Sequence, residues 1–419
     1  NRDMSESSAK RVNRVPVFFA AMFTVGMGGY LFTWSYFRDG LRGLYPEWTE
    51  SQLSLPFSVH NITVIFMLFV AGFLLRKLSN RTVVLAGIVA LFVGLGLFAF
   101  LPEDNPQTAL VLIVVCFGII AALSVGIGAV VSFDTYQPWF PERVGLTSGI
   151  WTMWGGGSPI VLGALCGVYT QHFGVLKGIA LLGVTLTAIL LLTLFFAKKP
   201  GEDVRLPQPK SHPNAHFSDL RPGEMLRTSG FWHLFLFNLF ARAAGLIVTD
   251  LGGTIAADLG VATLAGLLFA PANGISSVIG GYLMDRIRLS RVILLYVLVL
   301  FAGGLVLVLG NAAASAPLIL TGMVLVGLSY GGTNVGSVAA VRIMFGDTHY
   351  AQNLSFIVAS AGPASLSVFF TGWLIQRAGG SYTPAFVLIL VLSIAAVIDC
   401  IIMIKTRSFE RVAAAKTQR

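Results

Sequence analysis

Long apolar runs follow one another from residue 15 to residue 404, separated mostly by short polar breaks. Several of them, among them 83–101, 109–133 and 294–309, contain no charged residue. About 20 such residues cross the hydrocarbon of a bilayer as an α-helix. A backbone facing lipid must satisfy its own hydrogen bonds, which excludes irregular chain there. The pattern therefore predicts an all-α integral membrane protein with 12 transmembrane helices, at 15–36, 53–75, 81–101, 108–132, 146–168, 174–196, 230–256, 263–285, 290–310, 315–339, 350–375 and 382–404. The long polar break at 197–228 has four prolines before Ser218 and reads as a linker. The expected organisation is an N-terminal tail (1–14), a six-helix half (15–196), a linker (197–229), a second six-helix half (230–404) and a tail (405–419).

Composition sharpens this picture. Of 419 residues, 55% are hydrophobic and 11% charged, against about 25% charged in an average soluble domain. The net charge of +9 would suit a nucleic-acid binder if it formed one face, but it is dispersed along the chain. With an inward N-terminus and twelve spans, 23 of the 28 Lys and Arg fall on one side of the membrane. Basic loops stay cytoplasmic, so both termini are expected inside, in a bacterial inner membrane, and no nucleic-acid partner is expected. The first apolar stretch has no small-residue cleavage site behind it and is expected to remain as a span. Cys116, Cys166 and Cys400 all lie within spans and form no CxxC pattern, so they read as small apolar fillers. No GxxxxGK[ST] or HExxH motif occurs, so the chain is expected to be no enzyme and to need no cofactor or metal.

The two halves echo each other. Gly72-Phe-Leu-Leu-Arg76-Lys77-Leu-Ser-Asn-Arg81 follows span 2, and Gly281-Tyr-Leu-Met-Asp285-Arg286-Ile-Arg-Leu-Ser-Arg291 follows span 8, an offset of 209 residues. Pro159 in span 5 and Pro363 in span 11 are offset by 204. Transporters built from such repeats hold substrate between the halves near the midplane. The two loops resemble the signature of the major facilitator superfamily, with Asp285, Arg286 and Arg291 matching and Arg76 standing where the first copy's aspartate belongs. The resemblance implies the two-half fold and a charge latch at Asp285 and Arg286; a purely topological role for these charges stands beside it. Trp139-Phe-Pro-Glu-Arg-Val-Gly-Leu-Thr-Ser-Gly149, Gly223-Glu-Met-Leu-Arg-Thr228 with Phe231-Trp232, and the Trp34 neighbourhood narrow the resemblance to the oxalate:formate antiporter and monocarboxylate transporter branch. The branch's exchanger grips its substrate with an arginine in span 8 and a lysine in span 11. Ser277 and Ala361 occupy those places here, which argues against simple oxalate exchange.

One basic residue lies in mid-span, Arg242. An arginine at the bilayer centre costs at least about 2.5 to 3.5 kcal/mol, so it should face the bundle interior and a partner. It is the candidate for the missing carboxylate ligand, with a structural pair to Asp250 or to a helix-end carbonyl as the competing reading. Asp250 and His60 are candidates for a coupling proton, although a lone histidine more often packs and hydrogen-bonds. Asp134 is a candidate gate or a helix-end salt bridge, and Asp399 reads as structural. Tyr30 and Trp34 in span 1, Asn273 and Ser277 in span 8, and Tyr330 and Asn334 in span 10 are the candidate polar and aromatic lining. The glycines at 155–157 and 331–332 permit close helix approach and, with Pro159, read as bending points. The expected function is secondary active transport of a small, monocarboxylate-like organic anion by a monomer. A drug, amphipathic nutrient or siderophore is the alternative cargo, and a non-transporting sensor a third reading.

Overall fold

In the computed structural model, the described residues are 13–201, 204, 206, 207, 219–258 and 262–409. They form twelve successive helical rods: α1 (15–44), α2 (Glu50–Lys77), α3 (Asn80–Phe100), α4 (Pro106–Trp139), α5 (Val144–Phe173), α6 (Val175–Phe196), α7 (Ser229–Asp258), α8 (Ala262–Met284), α9 (Leu289–Ala312), α10 (Ala316–Phe345), α11 (Tyr350–Arg377) and α12 (Thr383–Lys405). Each predicted span falls on one rod. Among the described residues nine helices are long and apolar enough to cross a membrane, and α1 carries a shorter apolar helix, Val15–Leu31.

Local sequence explains where several rods begin. Thr49 and Gln52 form a capping box at α2, with Gln52 N donating to Thr49 Oγ1 (3.3 Å) and Thr49 N to Gln52 Oε1 (2.9 Å). Ser79 caps α3 by accepting from Thr82 N (3.2 Å). Asn105 caps α4 by accepting from Thr108 N (3.1 Å), with Pro106 in the first turn, where its missing N–H costs nothing. A single residue, Gly174, joins α5 to α6 at φ +81°, ψ 165°, a conformation that only glycine adopts without strain.

The stretches expected to bend stay α-helical, through Pro159 in α5 and through Gly331 and Gly332 in α10. Ser158 explains the first: its hydroxyl donates to Gly155 O (3.2 Å), the carbonyl that proline leaves without an N–H, and to Gly26 O (2.9 Å). The α10 glycines allow the expected close approach, since a Cβ on Gly331 would overlap the Asn273 carbonyl and one on Gly332 the Tyr296 ring. Regular winding fails elsewhere. Met27–Thr33 in α1 is a 3-10 helix, Val114–Ala121 and Ser132–Tyr136 in α4 are π-helical, and α11 breaks in the turn at Ala359 and Ser360, between Val358 and Ala361. The α11 break begins four residues before Pro363, where the proline ring meets the preceding carbonyl.

The chain divides into two compact units. One comprises residues 1–141 and 154–208, the other residues 142–153 and 209–419, so the first ten residues of α5 belong with α7–α12. Large apolar side chains stay exposed along the rods, including Ile62, Phe66, Phe100, Ile160 and Phe369. A soluble protein would bury that surface; a bilayer solvates it.

Candidate functional site

In the second unit the candidate residues gather along α7, α8 and α10. The α7 side chain of Asn238 is fully buried; its amide donates to Leu234 O (2.8 Å), and its carbonyl oxygen accepts a short bond from the Ser337 hydroxyl. Two turns along, Gly245 lies against the Tyr330 ring. These contacts pair α7 and α10 antiparallel. Arg242 sits four residues after Asn238 and three before Gly245, on the same helical face and beside the stretch of α10 that carries Thr333 and Asn334. Asn238, Thr333 and Ser337 are buried, whereas Arg242, Tyr330 and Asn334 are half-buried.

Arg242 has no ion pair and no hydrogen-bond partner among the described residues, although its Nε is sealed from solvent. Asp250, two turns further along α7, is exposed and forms no pair with it. The structural pairing weighed from sequence is therefore not made.

The other lining candidates differ in what they offer. Asn273 is half-buried on α8. Ser277 is buried and spends its hydroxyl on Gly331 O and Asn273 O, both at 3.0 Å, so it joins α8 to α10. In the first unit Tyr30 and Trp34 are buried with Phe37, His60 and Phe117 in an aromatic cluster of α1, α2 and α4. The Trp34 indole N–H donates to Leu53 O (3.2 Å).

His60 ties to the irregular part of α4. Its Nδ1 lies 2.8 Å from Phe117 O, inside the π-helical stretch, where wide turns misalign carbonyls from their usual donors. A carbonyl only accepts, so Nδ1 carries the proton and Nε2 is left as an acceptor. His60 Nε2 is buried without a hydrogen-bond partner among the described residues, and the Tyr30 hydroxyl is buried facing Ser124. Replacing His60 with Phe would keep the ring and strand the Phe117 carbonyl. We expect a loss of about 1–2 kcal/mol, read as a lower midpoint in thermal unfolding of the purified protein.

The gating candidates also acquire defined contacts. Asp134 is buried and pairs with Lys199 (2.9 Å), just past α6, the helix-end salt bridge weighed from sequence. Asp285 follows α8, and its carboxylate accepts from Gly145 N (2.7 Å) and Leu146 N (2.9 Å) in the first turn of α5. A negative charge on the unpaired amides of a helix start is favourable. Arg286 stacks on the Tyr282 ring, 4.4 Å from its centroid. Between Asp285 and the middle of α8 the two helices touch through glycine: a Cβ on Gly281 would overlap the Gly145 carbonyl, and one on Gly149 would come within 2.5 Å of Ser277 O. Asp285→Asn should cost about 0.5–2 kcal/mol and speed hydrogen exchange at the Gly145 and Leu146 amides, because an amide oxygen replaces the charged acceptor.

Asp399 pairs with His233 of α7 (2.8 Å), in line with its structural reading. Asn238 and Gly145 escaped the sequence reading as site residues. The signals for them were present: an asparagine one turn before the mid-span arginine, and two glycines four residues apart at the start of span 5.

Comparison with known proteins agrees with this architecture. The sequence profile described as Major Facilitator Superfamily matches residues 15–251. The oxalate:formate antiporter of Oxalobacter formigenes is 24% identical over 255 residues, and the match spans 59% of this chain and 59% of that relative's length. Among solved structures, a proton:xylose symporter superposes with a TM-score of 0.72 at 13% identity, covering 94% of this chain and 95% of its own. A bacterial homologue of the iron transporter ferroportin, in an outward-facing state, gives 0.71 at 15% identity, covering 93% and 98%. The E. coli fucose:proton symporter gives 0.65 at 14%, again covering 93% and 98%. At these identities the structural likenesses speak for the fold, that of a multi-pass, twelve-helix protein in two six-helix halves. With more than half of its length matched by the family profile, the chain belongs to the Major Facilitator Superfamily.

Proposed function

We propose that the protein is a secondary active transporter that moves a small, monocarboxylate-like organic anion by alternating access, with Arg242 holding the substrate's carboxylate. The observation that carries this reading is the state of Arg242: mid-helix, half-buried, its Nε desolvated, and without a carboxylate partner among the described residues. An arginine inside a span is costly unless something compensates it, and a guanidinium fork matches a carboxylate in geometry as well as charge. Asn238 and Ser337 brace the turn beneath it, and Asn334, Tyr330 and Asn273 offer polar, half-buried surface nearby on α10 and α8. The likeness to an oxalate:formate antiporter supports an organic anion. The neutral Ser277 and Ala361 favour one carboxylate over two.

In this reading Tyr30 and Trp34 also serve substrate binding. Asp250 or His60 carries a coupling proton, and Asp134, Asp285 and Arg286 act in gating. Both termini are cytoplasmic and the transporter works as a monomer in a bacterial inner membrane. The same scarcity of cations in spans favours, as the second reading, a neutral amphipathic cargo such as a drug or a siderophore. Purified protein in liposomes decides between them: saturable uptake of a labelled monocarboxylate, inhibited by other monocarboxylates and not by sugars, is the expected result. Inhibition by neutral amphiphiles alone would overturn the anion assignment, and no saturable uptake of any tested class would remove transport itself.

A further inference from the structure

A hollow of about 600 Å³ opens on the flank of the first unit between α3 and α6. Small residues, Gly96 and Ala99 on α3 and Ala180 on α6, leave the space, and Phe92, Phe100 and Phe173 wall it. The helices themselves meet closely beside it, where a Cβ on Gly183 would stand 2.5 Å from Leu95 Cβ. The hollow begins at the helix ends, since Phe100 closes α3 and Phe173 closes α5, and extends along α3 to Phe92, about 12 Å at 1.5 Å per residue. Its described lining is apolar except for Lys177, the third residue of α6.

We propose that this hollow holds an acyl chain of an anionic phospholipid, with the Lys177 ammonium on the headgroup phosphate. A groove on a membrane-spanning helix pair faces hydrocarbon, and its lining offers a polar solute no partner within the apolar part. An acyl chain matches that lining, and the aromatic walls give it more contact than an open helix flank would. Lysine one turn inside a span lays its stem along apolar surface and carries its charge to the headgroup level. Glu103 and Asp104, just after α3, do not line the hollow. A single lysine at the membrane surface yields about a fivefold preference for an anionic over a zwitterionic lipid.

The test uses the full chain in mild detergent, incubated with equal amounts of phosphatidylglycerol and phosphatidylcholine and read by native mass spectrometry. The wild type should retain phosphatidylglycerol about fivefold over phosphatidylcholine. Lys177→Gln should bring the ratio close to one without lowering the number of lipids retained. Ala180→Phe fills the hollow from α6 and should remove one retained lipid; Ala99→Leu fills it from α3 and keeps the test open if the first variant misfolds. Equal retention of both lipids by the wild type would overturn the headgroup assignment. An unchanged lipid count in a folded filling variant would overturn the location. A dimer lost on filling, with no lipid lost, would give the hollow to a second copy of the chain instead.

Discussion

Replacing Arg242 with alanine is expected to weaken binding of the carboxylate substrate by about 2–3 kcal/mol, roughly 30- to 150-fold, while leaving the protein's thermal stability unchanged or raised. The two effects share one cause. An arginine whose Nε is buried without a partner is desolvated at a cost the fold does not recover in the empty protein. Removing it relieves that cost, and the carboxylate then loses its charged donor. Arg242→Lys should lie between the two, because an ammonium supplies the charge without the planar fork. Binding is read by thermal shift across a carboxylate panel and uptake in liposomes. Wild-type affinity in a well-expressed Arg242→Ala protein would remove the arginine from the site, and a clear drop in melting temperature would mark it as structural.

Gly149→Leu should destabilise the protein by about 1–3 kcal/mol and reduce uptake more than tenfold, whereas Gly167→Leu on the same helix should be silent or slightly stabilising. Gly149 lies where α5 meets the backbone of α8 at Ser277, leaving no room for a Cβ without shifting one helix. Gly167 has open space around it, so a side chain there adds helix propensity and touches nothing. Gly281→Leu should behave like Gly149→Leu, because its Cβ would enter the Gly145 carbonyl. Both bulky variants displace the turn of α5 whose amides Asp285 binds, so uptake should fall even where the protein still folds. Equal melting temperatures and uptake for the 149 and 167 variants would show that this seam does not form in the working protein.

How much of this was legible beforehand depends on the range of the interaction. Twelve apolar runs announced twelve rods because the exclusion of unpaired backbone from lipid is a local, per-residue constraint. Arg242 stood out for the same reason, as a charge where the medium penalises charge. The partners of these residues were not legible. Whether Arg242 met Asp250 depended on side-chain direction around α7, and the structure leaves the two apart. Ser277 drew notice as an absent cation, yet packing turned its hydroxyl onto Gly331 O. The glycines of α10 announced close helix approach, but only the structure names Asn273 and Tyr296 as the neighbours they admit. His60 offered two meanings from sequence; only the π-helical turn of α4, set by packing far along the chain, aims a carbonyl at its Nδ1. By itself, then, the sequence determined the membrane, the number of spans and the one costly charge, since each follows from burial in hydrocarbon. Tertiary structure decided which polar groups are spent on one another and which remain for a ligand, because that depends on contacts between helices distant in the chain.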